Sequence, residues 1–250
     1  MKKTTMINRL EKLFNDNRKP GNQASFVVQK ADEEATVYVY DAIGDWYGDV
    51  TAKAFAKEIG GLDKGVKTLH LRINSPGGDV FEAQAIQTII KQCGRKTIAH
   101  IDGVCASAAT GIALACDEVE MADGGFFMIH KAWSLVIGNS DDMLEMAALL
   151  DKVDGSIASV YAKKTGSDQE AIKSMMAAET WFTAAEALEG GFVDRIFDGV
   201  EVEDCWNLSA YENVPKNLIE KNKKMLAQKE EAGYDKEIYE RRSRLFDMRR

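Results

Sequence analysis

Cysteine is scarce and scattered. The four residues in 250, Cys93, Cys105, Cys116 and Cys205, include no CxxC pair, which argues against a disulfide framework or a zinc site. Cys105 and Cys116 stand among apolar neighbours, where a thiol acts as a small hydrophobe. Long apolar runs are also missing: none reaches the roughly 18 residues that a bilayer span requires. The opening MKKTTMINRLEKLF has basic residues but no continuous apolar core, unlike a secretory signal. A cytoplasmic location with no membrane partner is therefore expected. Histidine is rarer still. Any site that needs an imidazole must draw on His70, His100 or His130. No internal repeat is visible.

Positive charge is short in the body of the chain. The formal net charge is −8, yet residues 1–23 carry +4 and residues 211–250 carry +3, which leaves −15 on residues 24–210. An acidic body argues against nucleic acid as the main partner. The basic ends read as solvated tails or as contacts for an acidic partner.

What remains is an ordinary globular composition, 45% hydrophobic and 29% charged. ATVYVYDAI (35–43) and KTLHLRI (67–73) read as strands, the second with Leu69, Leu71 and Ile73 alternating against His70 and Arg72. Asp49 is placed to cap a helix ending at Gly60-Gly61. Asp79 opens another, running to about Gln92. KTIAHID (96–102) is a third strand, and the small-residue stretch from about Ala106 to Cys116 a buried helix. EVEMA and FFMIH read as short strands. Helices follow over about 140–163 and 168–176, and over TAAEALEGG (183–191), with Thr183 as its cap. Strand–helix alternation predicts an α/β domain with a largely parallel sheet. We expect a basic arm over 1–24, a catalytic domain over 25–210 and a charged helical or disordered extension over 211–250.

Ligands of such sheets bind beyond the carboxyl ends of the strands, where NSPGG (74–78) and GVCAS (103–107) both fall. Ser107 lies where a strand gives way to a helix, beside first-turn amides that lack internal partners. Acyl transfer needs that pairing of a hydroxyl with N–H donors; a plain capping or packing serine fits the same stretch. His130 ends an apolar strand at an edge, suited to a general base. Glu179, among apolar neighbours in MAAETWF, is a candidate to orient it, since a buried carboxylate needs a partner. In NSPGG, Pro76 fixes a turn and the paired glycines allow close backbone approach. Gly78 can then offer an oxyanion donor. The backbone of Asp79 and Val80 can pair with a peptide as an added strand.

Together these segments resemble the Clp protease proteolytic subunit family. INSPGGDV (73–80), GVCASAAT (103–110), MIHKAW (128–133) and ETWFTAAEALEGGFVDRI (179–196) follow its motifs in order, over roughly residues 34–198. GDVTAKAF and ETWFTAAEAL look like the phage and prophage branch, the head maturation proteases. The resemblance implies a crotonase-like α/β fold, with helices around the sheet and a protruding handle helix over 140–163 that bears Met143, Met146, Leu149, Leu150, Val153 and Ile157. By position Ser107 matches the nucleophile, His130 the base, and Gly78 and Ala108 the oxyanion donors. Glu179 falls where the family usually has aspartate, a departure that makes Asp194 in GFVDRI the fallback acid.

The resemblance further implies a serine endopeptidase without metal or cofactor, acting on polypeptides from a homo-oligomeric ring, often a heptamer or a stacked pair. As a prohead protease it would cleave scaffold or capsid proteins. As a housekeeping subunit it would be fed by an ATP-dependent unfoldase. Two readings of other classes stand beside these: a crotonase-type acyl-CoA enzyme, whose glycine-rich helix start GIALACDEVEMA resembles, and a catalytically degenerate ring-forming scaffold.

Overall fold

The structure is a computed structural model and describes residues 29–31, 33–44, 50–199 and 206–220. The arm over 1–24, Asp49 and the extension beyond residue 220 lie outside the described residues. The elements run β1 (Gln29–Ala31), β2 (Glu34–Val39), α1 (Ala52–Gly60), β3 (Thr68–Ser75), α2 (Val80–Gln92), β4 (Lys96–Ala106) and α3 (Ala108–Leu114). Then come β5 (Glu118–Ala122), β6 (Phe126–Ile129), α4 (Ser140–Thr165), α5 (Gln169–Ala177), β7 (Thr180–Thr183), α6 (Ala184–Glu189) and β8 (Arg195–Phe197).

Strand–helix alternation produces the expected architecture: eight strands in the order β1-β2-β3-β4-β5-β8, with β6 pairing β4 and β7. Among the described residues, β1/β2 and β6/β7 are antiparallel and the other strand pairs are parallel. Alternation decides the faces. Leu69, Leu71 and Ile73 of β3 are fully buried in the main core with Ile86 and Ile90 of α2, Ile112 of α3 and Tyr161 of α4. The opposite face is polar. There His70 Nδ1 lies 2.9 Å from His100 Nε2, His100 Nδ1 lies 2.9 Å from Glu120, and Arg72 and Tyr40 both bond Asp102. These two histidines are thus fixed in a structural row across the sheet.

Local chemistry sets the helix starts. The Asp79 carboxylate accepts from Phe81 and Glu82 N–H at 2.7 and 3.0 Å. Asn139 and Asp142 form a capping box on α4, as Thr183 and Glu186 do on α6. Thr51 caps α1. The first half of α4 leaves Met143, Leu144 and Leu149 exposed, whereas Ala158 and Tyr161 in its second half are buried.

One expectation is corrected. β4 does not stop at Asp102 but continues to Ala106. Its first half pairs with β5. A register shift between Ile73 and Ser75 then lets Val104–Ala106 pair with β6. The expected helix start at about Ala106 is also displaced, because Val104–Ala106 pair with β6 and Cys105 with Ser75 of β3, which makes them strand. The helix therefore begins at Ala108, after Ser107 rather than before it.

Candidate active site

The turn between β4 and α3 puts Ser107 at φ 54°, ψ −124°. A non-glycine residue at positive φ is strained and persists only where its surroundings enforce it. Here Ser107 N–H donates to Met128 O at 2.9 Å, and Thr110, fully buried, donates its hydroxyl to Ser107 O at 2.6 Å. The strain projects the Ser107 side chain away from α3, so it makes no capping bond to the helix. Its Oγ instead lies 2.7 Å from His130 Nε2.

His130 follows β6 directly. The next residues are fastened by Lys131 N–H to Met176 O at 3.1 Å and Ala132 N–H to the buried Asp154 carboxylate at 2.8 Å. Burial pushes the His130 pKa down to about 4, so the imidazole is neutral at pH 7 and its Nε2 is available to the Ser107 proton. Both residues line a cleft of about 330 Å³, bounded by Val80, Ala108, Ala132 and Ile157 and, further along, by Gln87 and Lys91.

The NSPGG turn packs against the serine turn backbone to backbone. A Cβ on Gly77, at φ 94°, would meet Ala106 O at 2.6 Å and Ala108 N at 3.2 Å; one on Gly78 would meet Ile43 O at 2.1 Å. Glycine is obligatory at both. Asn74 and Ser75 hold the turn: Asn74 Oδ1 accepts from Val104 N–H at 3.0 Å, and Ser75 donates to Asp41 O at 2.6 Å. Gly78 and Ala108 therefore follow directly on the contacting residues. Asp79 and Val80 open α2 rather than an extended edge, and the Asp79 N–H is given to Ile43 O at 2.8 Å.

Glu179 sits across from His130, one step beyond the Ile129–Thr180 pair of the β6/β7 ladder. Its backbone adopts φ 49°, and its carboxylate is engaged elsewhere than on the imidazole. Oε1 accepts from the N–H groups of Glu212 and Asn213, each at 2.7 Å, and from the Trp181 indole at 3.2 Å. Asp194 lies apart from the site: it accepts from Val119 N–H and pairs with Lys164 at 2.7 Å.

The groups that sequence reasoning missed come from 206–220. This segment straddles the boundary expected at 210/211 and packs as one piece. Trp206 donates to Asn74 Oδ1 at 3.0 Å. Tyr211 donates its hydroxyl to Pro76 O and stands edge-on to the His130 ring, centroids 5.4 Å apart. The signal was the apolar spacing of Trp206, Leu208 and Tyr211 in an otherwise polar stretch.

Residues 19–200 match the Clp protease family. The chain belongs to that family. It is 25% identical over 187 residues to the ATP-dependent Clp protease proteolytic subunit 1 of Protochlamydia amoebophila, across 73% of this chain and 89% of that one. The protein of the same name from Mycobacterium tuberculosis is 30% identical over 146 residues, 54% of this chain and 69% of its own. Among solved structures, a point variant of ClpP1 from Listeria monocytogenes aligns with a TM-score of 0.58 at 23% identity, over 66% of this chain and 91% of that chain. The fold is thus the crotonase-like fold of the Clp proteolytic subunits. Residues 206–220 lie beyond the family match.

Proposed function

We propose that this chain is a serine endopeptidase subunit of the Clp type, with Ser107 as nucleophile and His130 as general base. The observation that carries the reading is the 2.7 Å contact between Ser107 Oγ and the Nε2 of a neutral, half-buried His130 that lines an open cleft. His130 takes the hydroxyl proton as Oγ attacks the scissile carbonyl, and returns it to the leaving amine. The N–H groups of Gly78 and Ala108 receive the oxyanion; losing one such donor costs roughly 100- to 1000-fold in turnover. Water, deprotonated by the same imidazole, then releases the acyl group and restores Ser107.

Family members form rings and act on polypeptides. Exposed Met143, Leu144 and Leu149 on α4 suit burial against another copy. Within this chemistry we assign the chain to prohead maturation, on the likeness of GDVTAKAF and ETWFTAAEAL to that branch. Cleavage of a co-expressed scaffold or capsid protein without ATP supports the assignment; cleavage of folded substrates only with an ATP-dependent unfoldase identifies the housekeeping role instead.

The central test is a fluorophosphonate probe on the purified oligomer. Labelling is expected at Ser107, abolished in Ser107→Ala and in His130→Ala. Absence of labelling and of peptide hydrolysis in the wild type would refute the peptidase reading and favour a scaffold.

A further inference from the structure

We infer that the segment 206–220 is a working part of the active centre, and that Tyr211 is a positioning residue that holds His130 and the Pro76–Gly78 turn in register. The inference rests on the peptidase reading and extends it beyond the stretch that matches the family.

The segment is built in, not draped. Trp206, Leu208, Tyr211 and Leu218 are buried and form a second apolar cluster with Val104 and Ala106 of β4 and Met128 of β6. Those strand residues alternate with Cys105, Phe127 and Ile129, which face the main core. The segment thus closes the other side of the same two strand ends that carry Ser107 and His130.

Tyr211 stands at the junction. Its hydroxyl donates to Pro76 O, so it grips the turn that presents Gly78. Its ring meets His130 and Trp181 edge-on, at 5.4 and 5.7 Å. Burial first, and the Glu179 carboxylate second, keep the phenol neutral, with the nearby Ser107 hydroxyl opposing them. Glu179, through the amides of Glu212 and Asn213, clamps the chain immediately after Tyr211. No hydrogen bond joins a carboxylate to His130 among the described residues. The imidazole is oriented by Ser107 on one side and by the Tyr211 ring on another. The cleft remains open to both members of the pair, so the segment supports the site without covering it.

Among the described residues, the ionisable groups around His130 are Tyr211 and Glu179 on the segment's side, Lys131 and Asp154 just beyond it, and Lys91 and Tyr161 along the cleft. Burial alone accounts for its low pKa. Removing the Tyr211 ring admits water and should move the pKa back toward about 6.5.

The test compares the wild-type oligomer with Tyr211→Phe and Tyr211→Leu, using a fluorogenic peptide and the fluorophosphonate probe. Tyr211→Phe keeps the ring and loses the bond to Pro76; kcat should fall about 10-fold with KM nearly unchanged. Tyr211→Leu should cost about 100-fold or more, and the acid limb of kcat/KM should shift upward in that variant only. A wild type that neither labels nor cleaves sinks the peptidase reading. A wild type that labels, beside a Tyr211→Leu oligomer with unchanged or raised kcat and an unmoved acid limb, overturns the role of Tyr211. Should Tyr211→Leu fail to assemble, the kcat-against-KM split of Tyr211→Phe decides: an unchanged kcat overturns the role.

Discussion

Replacing Glu179 by Gln separates two roles that one carboxylate can play. A triad acid bonds the histidine Nδ1–H and stabilises the imidazolium; exchanging it for an amide costs about 10,000-fold in kcat. An anchor works differently. Oε1 accepts two backbone N–H bonds at 2.7 Å and an indole N–H at 3.2 Å, and the carbonyl oxygen of glutamine can accept all three. What disappears is the charge assistance, about 1 kcal/mol per bond, so the grip weakens by about 2–3 kcal/mol. The apolar burial of Trp206, Leu208, Tyr211 and Leu218 is untouched and contributes about 1.5–3 kcal/mol per side chain. The segment should stay docked. Glu179→Gln is therefore expected to lose no more than about 10-fold in kcat. Glu179→Ala removes all three bonds, but water reaches the exposed Glu212 and Asn213 amides, so its loss should exceed that of Glu179→Gln and stay below that of Tyr211→Leu. The assay is kcat on a fluorogenic peptide, with tryptophan emission reporting that Trp206 remains buried. A 10,000-fold loss in Glu179→Gln with unchanged emission would refute the anchor and make Glu179 the direct partner of His130.

Three further outcomes are expected. Gly77→Ala drives a Cβ to 2.6 Å from Ala106 O at φ 94°; it should destabilise the fold by about 2–4 kcal/mol and suppress probe labelling, and an unchanged melting temperature would show the turn is not locked against Ser107. Asp194→Asn retains an acceptor for Val119 and gives up the pairing with Lys164; kcat should stay within about 3-fold, and a collapse of activity would restore Asp194 as the acid. His100 and His130 both have their pKa pushed down to about 4, burial being the first cause in each. The unfolded chain therefore binds more protons than the folded one between about pH 6.5 and 4, and stability present above that window is lost as pH falls through it. At pH 5 each contributes a loss of about 2 kcal/mol; denaturant melts at pH 8 and pH 5 that coincide would contradict the neutral imidazoles.

The sheet and its helices were legible because their patterns are local. Leu69, Leu71 and Ile73 announce a one-faced strand, and Asp79 and Thr183 announce helix starts. The places of Ser107 and His130 at neighbouring strand ends were legible too, and the structure brings the two within 2.7 Å. The positive φ of Ser107 was not, because it depends on the pairing of Val104–Ala106 with β6, twenty residues on. Glu179 was placed at the right edge, but its direction was hidden. The carboxylate turns toward amides of residues 212 and 213, in a stretch without strand or helix periodicity. Such contacts carry no period to read.

One pattern in the sequence nevertheless pointed at the missing piece. FFMIH carries no polar residue before His130, and a strand apolar at successive positions must be covered on both faces. Phe127 and Ile129 reach the main core; Met128 needs another cover, and so do Val104 and Ala106 beside it. His130 continues the face of Met128, so whatever covers that face also borders the imidazole. In this chain the cover is the segment around Trp206 and Tyr211. Ser107 is therefore held where two cores meet, and loosening either one should reach it. Leu218→Ala tests this from a distance: it thins the second cluster without being among the residues that line the cleft. It should lower kcat several-fold through the loosened segment, with KM little changed. Full activity in a variant whose segment has become sensitive to protease would show that the second core is separable from the chemistry.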